Sequence, residues 1–132
     1  MLFRSDTLKN IFFMSIIIAG SRSFNDYDLL KEKCDIFFQN YNNIEIISGT
    51  ANGADKLGER YAIENGYQLK LFPADWNRYG KSAGFRRNVE MSNHADALVV
   101  FWDGKSRGTQ HMIREAEKKD RKSTRLNSSH RT

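Results

Sequence analysis

The chain is poor in residues that cross-link, kink or coordinate. Its 132 residues include one cysteine, Cys34, and one proline, Pro73. A lone cysteine excludes an internal disulfide and points to a reducing, cytoplasmic setting. Cys34 falls in a helical pattern and reads as a small buried hydrophobe, not a nucleophile. His94 and His111 have no cysteine or histidine at metal-ligand spacing, so no metal is expected. No His-Glu-x-x-His, no Gly-x-x-x-x-Gly-Lys-Ser/Thr and no supported Ser-His-Asp set occurs. The apolar run "IFFMSIIIAG" falls far short of the ~20 residues of a membrane span. No small-residue cleavage site follows it, so neither a membrane partner nor a signal peptide is expected.

Net charge is scarce once the ends are set aside. The whole chain carries +5. The tail "DRKSTRLNSSHRT" resembles a translation of a common short-read sequencing adapter, and "MLFRS" resembles the opposite adapter. Such scars are excluded from fold reasoning. Removing their five Lys and Arg and one Asp from 21 and 16 leaves 16 and 15, a net charge of +1. The basic balance therefore argues for no nucleic-acid partner. The expected organisation is 1–13 as adapter-derived and upstream residues outside the native structure, 14–119 as one domain, and 120–132 as an adapter-derived, disordered tail. Met14 reads as the natural start.

What is present is alternation. "SIIIAG" is an apolar run of the kind buried on both faces of a sheet. Leu29, Leu30, Cys34, Phe37 and Phe38 recur at helical spacing behind a capping Asn25 or Asp26. "IEIIS" reads as a strand. "GADKLGERYAIEN" reads as a helix with Leu57, Tyr61 and Ala62 inward and Gly66 as its stop. "YQLKLF" reads as a strand ended by Pro73. "ADWNRYGKSAG" reads as a long polar loop, "FRRNVEMSNH" as a short helix, "ADALVVFW" as a buried strand and "TQHMIREAEKK" as a helix. This β-α-β-α-β-α-β-α order predicts an α/β, open parallel sheet with helices on both faces. Ligands in such sheets lie beyond the carboxyl ends of the strands.

Four strand-to-helix junctions carry chemistry suited to an anion. Helix starts present unpaired amides and partial positive charge, and glycine permits close backbone approach. "GTANGAD" offers Gly49, Thr50 and Gly53, with Asp55 placed to cap amides or accept from a ribose hydroxyl. "GSRSFND" offers Gly20, Ser21 and Arg22, whose planar fork suits phosphate. "AGFRRN" places Arg86, Arg87 and Asn88 at a helix start, where cations oppose the dipole unless an anion compensates. "DGKSRGT" ends on Gly108 and Thr109 before the last helix. Each has a plainer reading as a capped turn or solvated cation. Their convergence on one sheet edge is what favours a site. Trp76 and Tyr79 serve either as stacking groups for a base or as side chains that fold the loop onto the body.

In that order, "IIIAGSRSFNDYDLL", "IISGTANGADKLGERYA", "FPADWNRYGKSAGFRRNVEM" and "ALVVFWDGKSRGTQHMI" resemble the YspA-like branch of the SLOG superfamily. This Rossmann-like group also includes the YpsA, DprA and LOG proteins. The resemblance spans Ser15 to Lys119. It implies a Rossmann-like fold binding a nucleotide or nucleotide-derived small molecule, a role as a sensor in phage and bacterial conflict, and a homo-oligomer. It assigns ligand contact to Gly20, Ser21, Arg22, Gly49, Gly53, Ala54, Asp55, Arg87, Asn88, Asp103, Gly108 and Thr109. Phe85 replaces a family proline at a helix start. The resemblance also implies one more strand after the last helix, which the adapter-like tail leads us to expect missing.

Binding and catalysis remain as alternatives. LOG enzymes cleave a nucleoside 5′-phosphate at the N-glycosidic bond with a glutamate, and Met112 stands where that glutamate would be. Methionine carries no useful charge. Glu115 lies one turn on, and Asp55 or Asp103 could substitute, so these three are the catalytic candidates of an N-glycosidase reading. Binding of single-stranded DNA, as in DprA, is the weaker alternative.

Overall fold

A computed structural model describes residues 13–119 and the backbone of 122–127. Five strands, β1 (Phe13–Gly20), β2 (Asn43–Ser48), β3 (Gln68–Leu71), β4 (Ala97–Trp102) and β5 (Lys122–Asn127), form one sheet in the order β3-β2-β1-β4-β5. All four pairings are parallel. This is the open parallel α/β architecture read from the alternation, and the Rossmann-like fold that the resemblance implies. Strand order reverses between β1, the central strand, and its neighbour β4.

The helices are α1 (Tyr27–Phe38), α2 (Ala54–Glu64), α3 (Trp76–Tyr79), α4 (Ala83–His94) and α5 (Arg107–Lys118). Alternate residues of β1 sort them. Met14, Ile16 and Ile18 pack with Leu30, Cys34, Phe38, Tyr61 and Ala62 of α1 and α2. Ile17 and Ala19 pack with Met91, Met112, Ile113 and Ala116 of α4 and α5. A strand covered on both sides needs apolar residues at both parities, which is why β1 reads as an unbroken run. Asp26 caps α1, its carboxylate accepting from the Leu29 amide at 3.0 Å. Gly66, at φ 70°, follows α2 in the left-handed region that glycine enters freely.

Three expectations change. The loop after Pro73 is not structureless: Asp75 accepts from the Arg78 amide at 3.1 Å and caps α3, and a 3-10 turn, Gly80–Ser82, leads into α4. α4 therefore starts at Ala83, two residues before Phe85, and needs no proline at that position. The sheet position beside β4 is filled, not missing. Lys122–Asn127 pairs with β4 from Ala97↔Lys122 to Trp102↔Asn127. The physical reason is that β4's outer edge presents a row of unpaired backbone groups that a parallel chain leaving α5 can satisfy whatever its side chains. The strand lies inside the tail expected to be disordered. The remaining terminal expectations fall on 1–12, 120–121 and 128–132, outside the described residues; Phe13 opens β1. Among the described residues no helix is long and apolar enough to cross a membrane.

Ending the chain at Lys119 leaves β4 as a bare edge. We expect a lower urea midpoint and concentration-dependent self-association on size-exclusion chromatography. An unchanged midpoint and a sharp monomer peak would show that β5 contributes nothing.

Candidate functional site

The junctions meet where the strand order reverses. The turn after β1 is pinned on three sides through Ser21. Its amide donates to the Phe101 carbonyl at 3.0 Å, and its carbonyl accepts from the Ala54 amide at 3.2 Å. Its hydroxyl accepts from the Asp103 amide at 2.9 Å and lies 3.2 Å from Ser106 Oγ. Glycine is forced at two places here. A Cβ at Gly20 would stand 2.2 Å from the Phe101 carbonyl oxygen, and one at Gly53 would stand 2.3 Å from that of Ser21. Gly53 also has φ 81°. These glycines let strand ends touch one another, and Gly53 does not reach the cleft.

Above this knot lies a cleft of about 390 Å3. Its walls include Gly20, Arg22, Ala51, Asp55, Arg87, Asn88, Ser106, Arg107, Gly108 and Thr109, with Met91 and Met112 as its apolar floor. Ser106 precedes α5 without a side-chain capping bond. The first-turn amides of Arg107, Gly108 and Thr109 have no intrahelical acceptor and belong to cleft-lining residues. Gly108 is exposed, and a Cβ there would meet nothing within 4 Å.

The charged groups are arranged asymmetrically. Arg87 donates through Nη1 to the Gly49 carbonyl and through Nε to Asn88 Oδ1 at 3.0 Å. Burial holds its guanidinium below the ordinary arginine range, Asp55 acts against that shift and Arg22 adds to it. Arg22 is exposed at the rim. Asp55 is buried, with Oδ2 accepting from the Ala51 amide at 3.2 Å. Burial pushes its carboxyl up to about 6 against the pull of that amide and of Arg87. A Cβ at Gly49 would lie 2.9 Å from both Arg87 Nη1 and Asp55 Oδ2, so this glycine makes room for the pair. Asn88 Nδ2 donates to the Gly108 carbonyl at 3.2 Å and ties α4 to α5.

Of the residues singled out in the sequence, Gly20, Arg22, Asp55, Arg87, Asn88, Gly108 and Thr109 line this cleft, and Gly49 and Thr50 line a smaller hollow beside it. Ser21, Gly53 and Ala54 lie beneath it as framework. Two of the three catalytic candidates face elsewhere. Asp103 accepts from the amides of Lys105 and Ser106 at 2.8 and 2.9 Å, which hold its carboxyl below the usual range. Glu115 is buried beside Lys118 Nζ at 3.1 Å and His111 Nε2 at 3.6 Å, and Met112 occupies the cleft instead. Helical direction explains this: three residues advance the chain by nearly a turn, and the remaining offset turns Glu115 off the cleft. Arg86 stacks over Tyr79 with 4.4 Å to the ring centroid, a surface role. Ser23, Ala51 and Arg107 were not singled out. Arg107 was legible as a cation at the start of a helix, whereas Ala51 and Ser23 carry no sequence signal.

The model of the YspA, cpYpsA-related SLOG family matches residues 14–79. The chain is also 34% identical over 110 residues to the Gene 61 protein of Mycobacterium phage D29, covering 78% of this chain and 88% of that protein. The chain belongs to the YspA, cpYpsA-related SLOG family. Its fold is similar to that of DNA processing protein A (DprA) from Streptococcus pneumoniae, with a TM-score of 0.66 at 16% identity. That similarity covers 86% of this chain and 50% of DprA.

Asp55 gives the family fold here a measurable pH signature. Between its ordinary range and about 6 the native state keeps a proton that the unfolded chain releases. The Asp55 contribution to stability should therefore rise as pH falls from 7 to 5, by on the order of 1 kcal/mol, while His111, held below its ordinary value by burial, works in the opposite sense over the same window. Urea midpoints at pH 5, 6 and 7 should shift in the parent's favour relative to Asp55→Asn as the pH falls, since the His111 contribution is common to both. Identical slopes would mean that Asp55 is not held as described.

Proposed function

We propose that this cleft binds a nucleotide or nucleotide-derived small molecule by its phosphate, as a ligand sensor in phage and bacterial conflict. The observation that carries the reading is that Arg22, Arg87 and the first-turn residues Arg107, Gly108 and Thr109 of α5 line one cleft, with Asp55, its carboxyl pushed up to about 6, as the acidic group among them. Two guanidiniums and a row of amides suit an anion, and the partial burial of Arg87 strengthens its contact. The cleft volume falls within the range of small-molecule sites. Family membership supports a nucleotide-type ligand, and the mycobacteriophage relative supports a phage setting.

A second reading, hydrolysis of an N-glycosidic bond, rests on Asp55 alone. A carboxyl titrating at about 6 is suited to proton transfer near neutral pH. Met112 in the cleft, with Asp103 and Glu115 turned to other partners, favours binding over turnover.

Isothermal titration with AMP and adenosine tests the reading. AMP should bind and adenosine should not. Arg22→Ala and Arg87→Ala should each weaken AMP by about tenfold or more, the scale of a lost charge-assisted contact. Equal affinity for AMP and adenosine, or AMP binding untouched by both substitutions, would contradict it. Free adenine released from AMP, and lost in Asp55→Ala, would establish the hydrolase instead.

A further inference from the structure

The smaller hollow beside the cleft has a volume of about 270 Å3, and Gly49, Thr50, Pro73, Ala74 and Trp76 line it. Arg22, Ala51 and Arg87 belong to both hollows. The two guanidiniums therefore stand between two chambers, not at the closed end of one. A mononucleotide with its phosphate on these arginines has one base and occupies one chamber. The other would still face the same cations.

The second chamber has the furniture of a ring site. Trp76 is 52% exposed, although indole is the largest side chain available for burial. It is held out there by structure: the Asp75 cap makes Trp76 the first residue of α3. The position a Cβ would take at Gly84 lies 3.4 Å from Trp76 Cη2 and 3.7 Å from Arg87 Nη2. Indole and guanidinium thus flank one glycine, a planar apolar face beside a cation. Thr50 lines the same chamber at φ 66°, a left-handed backbone conformation that non-glycine residues adopt at a cost. Its amide is held by Ser48 Oγ at 3.0 Å. Strained backbone of this sort gathers at ligand sites.

We propose that the second chamber stacks a planar base on Trp76, so that the ligand is two-armed, with a phosphodiester or pyrophosphate centre between Arg22 and Arg87 and one arm in each chamber. A pyrophosphate bridge brings one charge per phosphate, matching one guanidinium each. A base on an aromatic face supplies affinity with little dependence on which base it is. This inference rests on the phosphate reading of the main cleft and extends it to the ligand's architecture.

Calorimetry with ADP and with diadenosine 5′,5′-diphosphate separates the two claims. The dinucleotide should bind about tenfold more tightly than ADP, the scale of one base–aromatic stack. Trp76→Ala should abolish that gain while leaving ADP within about twofold, as for a residue that does not touch the ADP arm. Trp76→Phe should restore most of it. Equal affinities for the two ligands, or an equal loss for both in Trp76→Ala, would overturn the second chamber while the phosphate site stands. Failure of both ligands to bind the parent protein would overturn the phosphate reading and this inference together.

Discussion

Three segments of this protein are held by one serine. Ser21 uses its amide, carbonyl and hydroxyl to hold the end of β4, the start of α2 and the loop before α5. It is fully buried, and every one of these contacts is made in the plane just below the cleft. Gly20 and Gly53 exist to let the backbones come that close. Phe24 seals the outer side, stacking on Phe101 with ring centroids 5.0 Å apart. Parallel sheets place ligands at the reversal of strand order because the loops diverge there. Here Ser21 limits the divergence and fixes how far apart Arg22, Asp55 and the first turn of α5 can be.

The charge balance above that plane is left open. Arg87 is half-buried and spends donors on Gly49 and Asn88, which orient it without neutralising it. Asp55 is the carboxyl within the cleft, and burial favours its protonated form. A protonated Asp55 no longer opposes an anion and can donate to one. Arg22 and Arg87 repel each other. An anion entering between them relieves that repulsion and satisfies the α5 amides together. The same reasoning explains why Met91 and Met112 form an apolar floor: it lowers the local dielectric and leaves the arginines as the dominant field.

Much of this was legible in the chain, and for identifiable reasons. β1 and β4 were readable because strands buried on both faces show unbroken apolar runs. α1 and α2 were readable from period and caps. Gly20, Arg22, Asp55, Arg87 and Gly108 were readable because glycine, arginine and aspartate at strand-to-helix junctions have few purely structural uses together. The division of labour was not readable. Gly53 resembles an anion-approach glycine, yet its neighbours are the carbonyls of Ser21 and Arg22, a contact across 32 residues of sequence that spacing cannot reveal. Asp103 and Glu115 looked free, but local backbone amides claim the one and Lys118 and His111 the other. α3 was hidden in a polar loop because four residues give no period. β5 was hidden because an edge strand is recruited by backbone bonding, and "KSTRLN" carries no apolar signature.

The central claim is that an oxyanion sits between Arg22 and Arg87 against the first turn of α5. Anomalous diffraction from crystals equilibrated with tungstate tests it most directly, because the anion is heavy and carries no base or sugar to bias its position. The account predicts the strongest anomalous peak inside the main cleft, within hydrogen-bond reach of both guanidiniums and the amides of Gly108 and Thr109. A cleft without a peak, with tungstate only on surface lysines or arginines elsewhere, would contradict it.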